Sequence, residues 1–167
     1  MISNVKANSI LNALTRYTEN YSTPTALYLG LCFTEPAASD GTINDEVNVE
    51  TCPSYKRVCV YQYNTSAKTV VKQFFGSASG GVISNTEEIQ FKTAQQAWST
   101  ADNKLMYWFL SETIDGKAFI WGEITDASDE TGATKGIVVG ANTVPTFYAG
   151  QLRASIDVSL TTTEATE

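Results

Sequence analysis

Between Ala26 and Cys32 the chain alternates: Leu27, Leu29 and Leu31 fall on one side of a period-two pattern, with Ala26, Tyr28, Gly30 and Cys32 on the other. That spacing predicts a strand with one strongly apolar face. The same period recurs at Val58 and Val60 against Cys59 and Tyr61, and at Ile89 and Phe91 against Glu88, Gln90 and Lys92. It is clearest at the end of the chain, where Ala154, Ile156, Val158 and Leu160 alternate with Arg153, Ser155, Asp157 and Ser159. A denser apolar run, Leu105–Leu110, followed by Ala118–Thr125 across Asp115-Gly116, predicts an antiparallel hairpin closed by a turn with positive φ. Only the N-terminal stretch changes period. Ala7, Ile10, Leu11, Leu14 and Tyr17 recur every three or four residues, which predicts an amphipathic helix over about Val5 to Tyr17 with Ser3 or Asn4 as its N-cap.

Turn-forming clusters at Ser39-Asp40-Gly41, Ser79-Gly80-Gly81 and Ile114-Asp115-Gly116 separate these segments. Short strands between turns, without intervening helical patterns, predict a mainly β domain: an antiparallel β-sandwich or jelly-roll-like barrel carrying one N-terminal amphipathic helix. No linker divides the chain. The expectation is a single sandwich domain over residues 1–160, with Asp126–Gly136 as a surface loop and 161–167 as a polar acidic tail.

Composition sharpens this picture. The chain has 167 residues, 43% of them hydrophobic and 17% charged, enough to bury a core without staples. No apolar run approaches the roughly 20 residues that cross a bilayer, and the start lacks the pattern of a secretory signal. The reading is a soluble chain made in a cytoplasm, with no membrane partner. A net charge of −7 argues against nucleic-acid binding, which needs clustered Lys and Arg; Lys56-Arg57 is the densest basic point. Cys32, Cys52 and Cys59 are an odd set without CxxC spacing, so three reduced thiols are expected rather than a disulfide framework.

The search for chemistry is largely negative. With no histidine, every Ser-His or Cys-His pairing is excluded, and no GxGxxG, GxxxxGK[ST] or GxSxG string occurs. The carboxylate pairs Asp45-Glu46, Glu87-Glu88 and Asp129-Glu130 lie in or beside turn-like segments and read as solvated loops. The Asp126–Gly132 stretch lacks the glycine position and distal glutamate of an EF-hand. No enzyme, cofactor or metal is expected. Aromatic residues do cluster: Trp98, Tyr107, Trp108, Phe109, Phe119 and Trp121. Trp98, Trp108 and Trp121 are the candidate interface or glycan-stacking residues, weighed against simple core filling. In the hairpin, Tyr107 and Phe109 face away from Trp108, so one of these rings is expected outside the main core.

The ordered landmarks also form a pattern. Pro24-Thr25-Ala26-Leu27-Tyr28-Leu29-Gly30-Leu31 follows the opening helix; then come Tyr55-Lys56-Arg57-Val58, Asn85, Ile89, Phe91, Ala94, Trp98 and Gly122. Val144-Pro145, Phe147 and Ala149-Gly150-Gln151-Leu152 precede the terminal strand. Over about residues 5 to 158 this order resembles a family of small structural proteins of tailed phages, labelled tail-fibre or minor virion proteins. The resemblance implies a β-sandwich displayed on the virion, assembled in the host cytoplasm, a homo-oligomer in contact with other capsid or tail proteins, with no catalytic or cofactor residues. The Asp126–Gly136 loop and the acidic tail depart from the family pattern. A carbohydrate-binding module with an aromatic platform is the alternative.

Overall fold

A computed structural model of the chain describes residues 2–4, 6–7, 24–77, 79, 82–125 and 135–155. Nine strands run through them: β1 Ala26–Cys32, β2 Val58–Asn64, β3 Thr69–Gln73, β4 Val82–Ser84, β5 Ile89–Gln90, β6 Tyr107–Ser111, β7 Ala118–Glu123, β8 Thr146–Phe147 and β9 Arg153–Ser155. Five form one antiparallel sheet in the order β3-β2-β1-β6-β7; β4 pairs with β9, and β5 with β8. The described part is therefore mainly β, and none of its sheets closes into a barrel.

No helical element is complete among the described residues. Asn4, Lys6 and Ala7 have helical backbone, Ala7 N–H donates to the Ser3 carbonyl at 2.9 Å, and Ser3 Oγ accepts from Lys6 N–H at 3.4 Å. Ser3 thus occupies the cap position. The remainder of the expected helix lies outside the described residues, as do most of the Asp126–Gly136 loop, Ile156 to Leu160 and the 161–167 tail.

Period two determines the core. Leu29 and Leu31 of β1 and Trp108 and Leu110 of β6 point to one face and join Val60, Phe75, Ile89, Phe91, Trp98, Phe147 and Leu152 in the main cluster, with Leu27 partly buried against it. The small β-pairs thereby cover one face of the large sheet. Its other face is buried as well at β1, β6 and β7. Cys32, Phe109, Ala118 and Trp121 form a second cluster there, flanked by Ile43 and Tyr107. Gly30 makes this possible: it stands opposite Phe109 in register, and a Cβ at Gly30 would lie 2.2 Å from the ring.

The β6–β7 hairpin forms, but its turn differs from expectation. Gly116 N–H donates to the Thr113 carbonyl at 3.1 Å, which makes Thr113–Gly116 the turn, and Gly116 is not among the residues with positive φ. Glycine is favoured at the last position of such a turn, and here a Cβ would sit 2.5 Å from Thr113 Oγ1. Leu105, expected in the strand, instead forms an isolated bridge with Ile137.

Candidate functional site

The polar centre of the protein assembles where the long connection 33–57 returns to the sheet. Pairing of β1 with β2 ends at Leu29 and Val58, so the N–H of Leu31 needs another acceptor. Tyr55 Oη supplies it at 2.9 Å and donates in turn to Glu46 Oε1 at 2.8 Å. Arg57 grips the same carboxylate through Nε at 2.8 Å and Nη2 at 2.6 Å, a bidentate pair. Its Nη1 donates to Ser111 Oγ at 2.9 Å and to the Gly116 carbonyl at 2.7 Å, while the guanidinium lies 4.8 Å from the centre of the Phe109 ring.

Burial governs the electrostatics of this cluster. It pushes the Tyr55 hydroxyl well above its usual pKa, aided by the charge of Glu46. For Arg57, burial pulls downward, yet the hydrogen bonds and charge of Glu46 outweigh it and hold the pKa above the ordinary value. Both groups keep their protons throughout the physiological range. With Arg57 only 8% exposed at its side chain and every contact geometric, the cluster can hold the 112–117 turn against the 33–57 connection.

Beside it lies an open groove of about 640 Å³, lined by Val49, Ile114, Pro53, Ile43, Lys56 and Asp115 among others. Val49 and Ile114 are 57% and 49% exposed. At the other end of β2 the chain turns through Thr65–Lys68 into β3, with Asn64 Oδ1 accepting from Ser66 and Ala67 N–H at 3.0 and 2.9 Å. This arm carries Val70 and Val71, 50% and 60% exposed, on a strand that borders the sheet. The opposite border is different: β7 is bridged by Ile2 at Ile120 and receives Ser3 N–H at the Phe119 carbonyl.

The indoles named from sequence are all inside. Trp98, Trp108 and Trp121 are 4%, 0% and 1% exposed, so none presents a ring face to a sugar or a partner. They are not brought together either. Trp98 packs edge-on to Tyr55 and Phe91, and Trp108 tilts against Phe75, both in the main core; Trp121 lies across the sheet in the second cluster and donates Nε1 to Glu35 at 3.2 Å. Trp108 Nε1 is buried without a hydrogen-bond partner among the described residues. Gly122 accommodates it, since a Cβ there would lie 2.8 Å from that nitrogen.

The three cysteines are free thiols; burial raises the Cys32 pKa to about 12, with the charge of Glu46 adding to it. Glu46 is a correction to the solvated reading of Asp45-Glu46, because its carboxylate is held by Tyr55 and Arg57. Asp129-Glu130 and the Asp126–Gly132 stretch lie outside the described residues. Sequence reasoning missed the Arg57–Glu46–Tyr55 centre: Tyr55 and Arg57 stand together in one landmark, but Glu46 reads only as a loop acid, and nothing periodic links it to them. Asn85 was likewise only a landmark. It is 1% exposed, donates Nδ2 to the Glu87 and Tyr148 carbonyls at 2.8 Å each, and accepts from Leu152 N–H at 2.9 Å, which fastens the Tyr148–Leu152 turn where Gly150 takes φ +81°.

Among known proteins, the chain matches a family model described as podophage GP4 fiber I protein gp80 over residues 1–155. No curated protein matches it.

Proposed function

Since this chain belongs to the podophage GP4 fiber I protein family, and is thereby a non-enzymatic fibre component of a phage virion, we propose that it works as a self-associating subunit. It also docks on other virion proteins and contacts neither nucleic acid nor membrane. The observation that supports self-association is the large apolar side chains left at the surface, Val49, Val70, Val71 and Ile114 together with Val138, Val144 and Tyr148, in a chain that buries one face of its main sheet and, at β1, β6 and β7, the other as well. Symmetric or head-to-tail copies are the usual means of burying such surface. The whole of residues 1–160 is taken as one sandwich-like unit with an N-terminal helix, and 161–167 as a solvated tail.

Light scattering on the isolated chain, followed by binding to particles produced without it, tests this reading. A defined oligomer that restores the missing density on such particles is expected. A monomer at all concentrations that leaves those particles bare would overturn it.

A further inference from the structure

Charge is distributed unevenly along the chain. From Phe33 to Tyr55 there are five carboxylates, Glu35, Asp40, Asp45, Glu46 and Glu50, and no Lys or Arg. From Thr51 to Thr86 there are four cations, Lys56, Arg57, Lys68 and Lys72, and no Asp or Glu. The first segment supplies most of the groove beside Arg57, and the second supplies the arm. Asp115 lines the groove, and Asp45 and Glu50 adjoin its lining residues in the chain; none of these three carboxylates forms a salt bridge among the described residues, and against them the lining sets Lys56 as the one cation likewise without one. On the arm, Lys68 and Lys72 form none either. An exposed arm with two valines and two lysines therefore has a counterpart, a groove with Val49 and Ile114 at which the unpaired carboxylates in and beside the lining outnumber the unpaired Lys56.

The two cannot meet within one chain. Tyr55 and Arg57 lead into β2 at the groove, and the arm turns back beyond its far end at Asn64, so a strand of about 20 Å separates them at ~3.3 Å per residue. An arm matched to a groove at the opposite end of the same strand describes a heterologous contact, which repeats from copy to copy and closes as a ring or continues as a filament. Pairing β3 with the β3 of another copy is the less favourable use of this edge, because it would gather four lysines without a carboxylate.

We propose that the β2–β3 arm of one copy seats in the Val49–Ile114 groove of a second copy, Val70 and Val71 covering its apolar rim and Lys68 and Lys72 facing Glu50 and Asp115. This rests on the self-association proposed above and specifies its interface. Because the charges are exposed, the contact weakens as salt shortens the screening length below about 8 Å.

A charge-swap on the full chain tests it. The Lys68→Glu/Lys72→Glu variant and the Glu50→Lys/Asp115→Lys variant should each require at least about tenfold higher concentration than the parent for half-association, with thermal midpoints confirming that both fold. Their equimolar mixture should return to the parent value, since every junction then joins an arm and a groove of opposite sign. Each variant associating like the parent, or a mixture no better than its components, would overturn the arm-and-groove contact while leaving self-association standing. A parent that stays monomeric at every concentration would overturn both.

Discussion

The two ends of strand β2 serve opposite purposes. At its start, Arg57 and Tyr55 turn their polar atoms inward on Glu46, Ser111 and the Gly116 carbonyl, and the guanidinium lies over Phe109. At its end, Gln62, Asn64 and nearly all of β3 are exposed, and the turn includes Lys68 with φ at +54°. One end closes the fold by satisfying buried groups; the other leaves half or more of Val70 and Val71 exposed. With the arm as the contact proposed above, stability and assembly are assigned to separate stretches of a single strand. Substitutions at the two ends should then move different observables.

The largest effect is expected at the closed end. Arg57→Met removes one member of a buried, hydrogen-bonded ion pair and leaves Glu46 and Tyr55 facing an apolar side chain, a loss of about 3–5 kcal/mol. Urea midpoints would report it, and a midpoint equal to the parent's would show that the cluster does not hold the turn. Next is Gly30→Ala. The added methyl meets the Phe109 ring, and overpacking of this kind costs about 1–3 kcal/mol; if the collision is its cause, Gly30→Ala should cost clearly less in a Phe109→Ala background than in the parent.

How far these features could be read in the sequence depends on their range. Strand β1 and the β6–β7 hairpin were legible because Leu27, Leu29 and Leu31, or Trp108 and Leu110, repeat every second residue and local period determines the face. Strand β3 was not, for Thr69-Val70-Val71-Lys72 lacks alternation. Its register against β2 shifts between Gln62 and Tyr63, which leaves Val71 without a partner residue across the ladder. The buried state of Trp98, Trp108 and Trp121 was open from sequence, since the alternation that hides Trp108 would, on a one-sided sheet, expose Phe109. What hides Phe109 is the 33–57 connection together with the 112–117 turn, and contacts between such distant segments leave no local signature. The Arg57–Glu46 pair was illegible for the same reason. Asn85 and Gly122 were visible as family landmarks but silent about role, and prove to be positions of hydrogen bonding and close packing.

A smaller effect separates the two ends more sharply. Lys68 occupies the left-handed region, where a side chain costs about 1–2 kcal/mol relative to glycine. Lys68→Gly should raise stability, by roughly 0.5–1 kcal/mol once the extra freedom of glycine in the unfolded chain is included, while weakening self-association by removing one arm charge. If denaturant midpoint and association moved in the same direction, the division of labour along β2 would be blurred.

The most direct measurement is amide hydrogen exchange on the parent chain at concentrations where it is associated, compared with the Lys68→Glu/Lys72→Glu variant at the same concentration. Association through the arm and groove should add protection at Thr69–Gln73 and around Val49 and Ile114, and leave β1 and β6 unchanged. Protection gained elsewhere, or equal exchange in the two proteins, would contradict the assignment of assembly to the open end of β2.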